Sequence, residues 1–125
     1  MPVSINIELP EVDITIDTSN WYVDEFKNDK ALYDSCYELL KDVPDKCGGV
    51  YFLYIGDELV YVGRSVDLKM RLASHLVRST NSKKYINDVT RIDCIKVDDV
   101  IDQQIYELHA IKTLKPKYNK SKISN

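Results

Sequence analysis

The sequence predicts an α/β (α+β) domain with a small three-stranded, mainly antiparallel sheet flanked by helices. Three observations carry that prediction. Residues 50–55 and 59–62 are short β-branched and aromatic runs separated by Gly56-Asp57-Glu58, the pattern of a hairpin. Leu68, Leu72 and Leu76 then recur at helical spacing, behind Ser65 or Asp67 as candidate N-cap. A third β-rich run, Arg91 to Val97, precedes a helical segment from Val100 to about Leu114. Asp98 or Asp99 caps that helix, and Lys115-Pro116 ends it. The core order is strand, strand, helix, strand, helix.

Each remaining stretch has a simpler signal. Residues 3–9 place apolar side chains at odd positions, and after Pro10 the parity flips to Val12, Ile14 and Ile16. That is the pattern of two short strands, or of one broken at the proline. Residues 29–41 read as a helix with Tyr33, Cys36, Tyr37 and Leu40 on one face and Pro44 closing it. Arg78 to Lys84 is a polar connector, and Tyr85 to Val89 is one further helical turn. The chain therefore divides into an acidic extension, residues 1–46, expected to pack on the core, and residues 47–125, which end in a lysine-rich tail.

Composition narrows the class. A chain of 125 residues is one domain with room for a buried core. It has no apolar run long enough for a membrane span and no signal-peptide pattern at its start. Cys36, Cys47 and Cys94 are odd in number and lack metal-ligand spacing, so reduced thiols and a cytoplasmic location are expected. The net charge of −3 conceals an asymmetry. Residues 1–46 carry a net −7 and residues 47–125 a net +4, with Lys112, Lys115, Lys117, Lys120 and Lys122 near the end. A basic half suits contact with phosphates.

Within that half, a few side chains stand out. The hairpin and the helix behind it bring Tyr51, Tyr61, Arg71 and His75 into one neighbourhood, Arg71 and His75 being four apart on one helix face. On the last helix Val100, Gln104, Glu107, Ile111 and Leu114 fall on one side, which sets a carboxylate on a largely apolar line. A partly buried carboxylate needs a cation or hydrogen bonds. An arginine or lysine of the core would satisfy it, and so would a metal ion.

Gly49-Val50-Tyr51, then Tyr61-Val62-Gly63, then Arg71, His75, Glu107 and Asn119 after Pro116, together resemble the GIY-YIG nuclease family. The resemblance covers residues of about 48 to 119 and departs only in valine for isoleucine at position 50. It implies a DNA endonuclease that uses Mg²⁺ or Mn²⁺ and leaves 5′-phosphate and 3′-hydroxyl ends. By that resemblance Glu107 is the metal ligand, Tyr51 takes the proton from the attacking water, and Tyr61 positions water or phosphate. Arg71 would hold the scissile phosphate through its planar fork. His75 is the rival base, with an ordinary pKa suited to the task. Asn119 is expected to hold backbone or a hydroxyl in place, while Arg64, Lys112, Lys115 and Lys117 are candidate DNA contacts.

A phenol is a poor base unless a neighbouring cation lowers its pKa, a part open to Arg71 and the metal. The competing reading is a module that keeps this fold and binds nucleic acid or protein without cutting. For the acidic extension, homodimerisation, mimicry of DNA charge and docking of a protein partner stand beside plain packing.

Overall fold

The computed structural model describes residues 2–22, 25–77 and 84–119. Most of the polar connector, Arg78 to Lys84, and the tail lysines Lys120 and Lys122 lie outside the described residues. In chain order the elements are β1 (Ile14–Asp17), α1 (Asp29–Leu39), β2 (Gly49–Ile55), β3 (Glu58–Ser65), α2 (Leu68–Leu76), β4 (Arg91–Lys96) and α3 (Val100–Leu114). A single 3₁₀ turn, Ile86–Asp88, stands where the extra helical turn was expected. The architecture is the predicted one, helices against an antiparallel sheet, but the sheet has four strands in the order β1-β4-β2-β3.

The fourth strand comes from the acidic extension. Residues 3–9 form no strand, whereas Ile14–Asp17 pairs antiparallel with β4, Ile14 opposite Cys94 and Asp17 opposite Arg91. Asp13 lengthens the seam, its N–H donating to Cys94 O and its carboxylate accepting from Lys96 N–H at 2.7 Å. Behind β1, the Trp21 indole is buried and donates to Leu76 O at the end of α2. α1 is capped by Asn28, which accepts from Ala31 N–H. It buries Cys36 and delivers the buried Leu40, while Tyr33 and Tyr37, expected on the core face, are about half exposed.

Ile16, Trp21, Leu40 and Val43 share one apolar cluster with Leu53, Leu72 and Leu76. Replacing Trp21 with alanine therefore empties a large volume and orphans Leu76 O. Urea unfolding should show a loss of about 3–5 kcal/mol.

The hairpin decides the site. The sequence admits a three-residue loop with Ile55 opposite Leu59, which sets Tyr51 and Tyr61 on one face, and a two-residue Gly56-Asp57 turn, which does not. Ile55 faces Glu58 across the two-residue turn, led by Gly56 at φ +59°, a conformation that glycine adopts freely. Continued unbroken, that register would put Tyr51 and Tyr61 on opposite faces. One extra residue in β3 intervenes: Tyr54 pairs with Leu59, but Leu53 pairs with Tyr61. This bulge at Val60 restores the parity, and Tyr51 comes to lie opposite Gly63.

The helices follow. Asp67 caps α2, accepting from Met70 N–H, and Leu68, Leu72 and Leu76 are all buried as the spacing predicts. Asp99 caps α3 through Ile101 and Asp102 N–H, and Lys115 ends it in a left-handed conformation before Pro116. The buried side of α3 is turned from the expected line. Gln103, Glu107, Ala110 and Ile111 face inward, while Val100, Gln104 and Leu114 are exposed. That inward side packs over Val50, Phe52, Val62 and Ile95 on the second face of the sheet. Among the described residues no helix is long and apolar enough to cross a membrane, and the three cysteines are free thiols.

Candidate active site

β3 is an edge strand, so side chains from both faces of the sheet can meet around it. They meet at Gly63. Tyr51, on the neighbouring strand, is 1% exposed and lays its ring over that glycine. A Cβ at position 63 would fall onto the Tyr51 hydroxyl and ring carbons. The Tyr61 ring lies 6.1 Å from that of Tyr51, and the His75 ring lies 5.3 Å from Tyr51 and 5.7 Å from Tyr61. The Tyr51 hydroxyl and His75 Nε2 are 2.7 Å apart in a buried hydrogen bond.

α2 brings Arg71 one turn before His75, and α3 brings Glu107, 6% exposed, from the opposite face. The result is a cleft of about 260 Å³ lined by Tyr51, Tyr61, Gly63, Arg64, Arg71 and Glu107. His75 sits behind Tyr51 instead of on the cleft wall.

Electrostatics set the resting protonation. Burial, seconded by the Tyr61 hydroxyl, pushes the Tyr51 phenol well above its ordinary range, and Arg71 opposes that rise without cancelling it. Tyr51 is therefore a neutral hydroxyl at pH 7. His75 departs from the expectation of an untuned base. Burial, then the positive charge of Arg71, lowers its pKa to about 4, so the imidazole is neutral.

That shift has a thermodynamic sign. The unfolded histidine protonates near 6.5 and the folded one near 4, so the unfolded state binds the extra proton in between. Stability is complete above about pH 6.5, falls as the pH drops towards 4, and levels off below it. The loss from this group is about 3 kcal/mol. Urea titrations at several pH values should show a steeper acid loss for the parent than for His75→Gln; equal slopes would refute the assignment.

A family model, the UvrC-like GIY-YIG domain, matches residues 47–120. This chain belongs to the GIY-YIG family. It is 35% identical over 83 residues to the YurQ protein of Bacillus subtilis (strain 168), across 65% of this chain and 67% of that protein. It is 33% identical over 84 residues to UvrABC system protein C of Fervidobacterium nodosum, across 66% of this chain. The match spans only 15% of that protein's length. Among solved structures, the GIY-YIG N-terminal endonuclease domain of UvrC from Thermotoga maritima, bound to its catalytic divalent cation magnesium, superposes with a TM-score of 0.59. Sequence identity there is 26%, over 69% of this chain and 97% of the other.

Further side chains brace the strands and helix around the cleft. Asn119 is buried against the β3 edge: its Oδ1 accepts from Val62 N–H at 2.8 Å and its Nδ2 donates to Val62 O at 2.9 Å. Gln103 carries no signal in the sequence. It is buried one turn before Glu107, donates to Val97 O at 2.7 Å, and accepts from Arg64 Nη1 at 3.5 Å. A polar residue flanked by other polar residues gives no periodic signal. The rings of Tyr85 and Tyr118 stack at 4.1 Å between centroids, a contact between distant positions that no local pattern reports.

Of the lysines expected at DNA, Lys112, Lys115 and Lys117 are all exposed and none lines the cleft. Lys112 follows Glu107 by five positions, about 140° round the helix, and so faces away from it.

Proposed function

We propose that this protein is an endonuclease that hydrolyses a phosphodiester bond in DNA with Mg²⁺, or Mn²⁺, held through Glu107. The observation that carries the reading is the convergence of Tyr51, Tyr61, Arg64, Arg71 and Glu107 on one cleft around Gly63. Hydroxyls, two guanidiniums and one carboxylate are the groups that a phosphodiester and a hard cation call for. The donor set fits the metal. Mg²⁺ commonly takes one or two carboxylates and completes its shell with water and phosphate oxygens, and Glu107 is the carboxylate among the lining residues. Among the described residues no group of three or more His, Cys, Asp or Glu forms a closed metal cage.

When bound, the cation would supply a positive charge to the phosphate and to the departing oxygen. The residues divide the remaining work. Arg71 grips the scissile phosphate and offsets the charge added in the transition state. A water lodged between Tyr51 and Tyr61 attacks phosphorus and hands its proton to the Tyr51 oxygen. Tyr51 passes its own proton to Nε2 of the neutral His75, so base work is shared along the 2.7 Å hydrogen bond. The P–O3′ bond breaks, and the 3′ oxygen takes a proton from solvent, leaving a 5′-phosphate and a 3′-hydroxyl. Asn119 positions Val62, and through it the strand that carries Tyr61 and Gly63. Arg64, Lys115 and Lys117 meet neighbouring phosphates.

Supercoiled plasmid incubated with the protein and Mg²⁺ should give nicked or linear product, and EDTA should abolish it. Firm binding to plasmid, linear and branched DNA with no cleavage of any of them would favour the non-cutting module.

A further inference from the structure

α3 has a second apolar side that nothing in the described fold covers. Ile101, Ile105 and Leu108 lie at i, i+4 and i+7, opposite the inward line of Gln103, Glu107 and Ala110, and are 66%, 40% and 55% exposed. Helices that pack by one face on a sheet usually turn charge outward, so a stripe of this kind marks an interaction surface.

The charges at its two ends indicate the occupant. Asp98, Asp99 and Asp102 are exposed at the N-terminal end, and Lys112, Lys115 and Lys117 at or beyond the C-terminal end. A helix with one apolar stripe, an acidic head and a basic tail is complementary to itself when laid antiparallel. Ile105 then meets Leu108 of the other copy, and Asp102 of each copy meets Lys112 of the other. The two helix dipoles also run in opposite directions.

We infer that α3 is the homodimer interface of this protein, formed with a second copy about a two-fold axis. The seam is about 22 Å long and narrow, at the small end of specific interfaces, so association falls in the micromolar range and weakens with salt. The acidic extension is not needed for it. Lys112 is assigned to the dimer and not to DNA, in keeping with its position away from Glu107.

Sedimentation velocity of the full chain, without DNA, between about 1 and 200 µM should show a monomer giving way to a dimer. Ile105→Glu combined with Leu108→Glu should remain monomeric over that range with an unchanged melting temperature, since both side chains are at the surface. A charge exchange identifies the geometry. Asp102→Lys alone and Lys112→Glu alone each set like charges together and should be monomeric, whereas an equimolar mixture of the two restores both pairs and should dimerise. A parent chain that stays monomeric at the highest concentration overturns the inference and leaves the stripe to a different protein. A parent dimer that the stripe and charge variants leave intact overturns it too, by placing the interface elsewhere.

Discussion

Glu107→Gln is expected to abolish cleavage while the fold survives. The substitution keeps size and shape and removes only the charge from a position that is 6% exposed. Nicking should fall on the order of a thousand-fold, equivalent to about 4 kcal/mol of transition-state stabilisation, because the cleft loses its lining carboxylate. DNA affinity at fixed salt should hold or tighten, since Arg64 and Arg71 remain and a negative charge has gone. The melting temperature should be level or slightly higher, as is common when a functional site is neutralised. A large drop in melting temperature would instead identify Glu107 as half of a structural ion pair, and nicking near the parental rate would exclude it as metal ligand.

Gly63→Ala should be nearly as damaging, for a steric reason. The added methyl group would occupy the space of the Tyr51 ring, which must swing away and give up its 2.7 Å bond to His75. Overpacking of that kind costs about 1–3 kcal/mol of stability. The larger effect is on rate: a reacting group misplaced by about 1 Å can lower it on the order of a hundred-fold. Tyr51→Phe is the companion variant, because it keeps the ring over Gly63 and removes only the hydroxyl. The two should be similarly slow, with only Gly63→Ala melting lower. If Gly63→Ala melts lower yet cuts at the parental rate, the Tyr51 hydroxyl is not part of the chemistry.

Much of this cleft is legible in the sequence because its parts sit on strongly periodic elements. The leucines of α2 fix which way Arg71 and His75 point, and the two β-rich runs fix Tyr51 and Tyr61 as near neighbours. What escapes is set by contacts between distant residues. The bulge at Val60 cannot be read from Gly56-Asp57-Glu58, since two-residue and three-residue turns suit those residues equally. β1 depends on β4, 78 positions away at the Thr15–Asp93 hydrogen bond. The turn of α3 about its axis is not legible because the inward side holds polar Gln103 and the outward side holds Ile101, Ile105 and Leu108. Apolarity points inward only when no second surface competes for it. His75 departs from expectation for a related reason: its pKa follows first from burial, which no local pattern reports.

The hydrogen bonds of Asn119 have a consequence for handling the protein. An open sheet edge is a template on which other chains can add strands and aggregate. Tyr118 N–H donates to Val60 O, and the Asn119 amide occupies both backbone groups of Val62, so two residues do the work of a protective strand along β3. Cutting the chain before Tyr118, or replacing Asn119 with alanine, bares that edge at the very strand that carries Tyr61 and Gly63. Such variants should lose activity and colloidal stability together. An inactive preparation of this kind has to be checked by light scattering before its defect is ascribed to the chemistry.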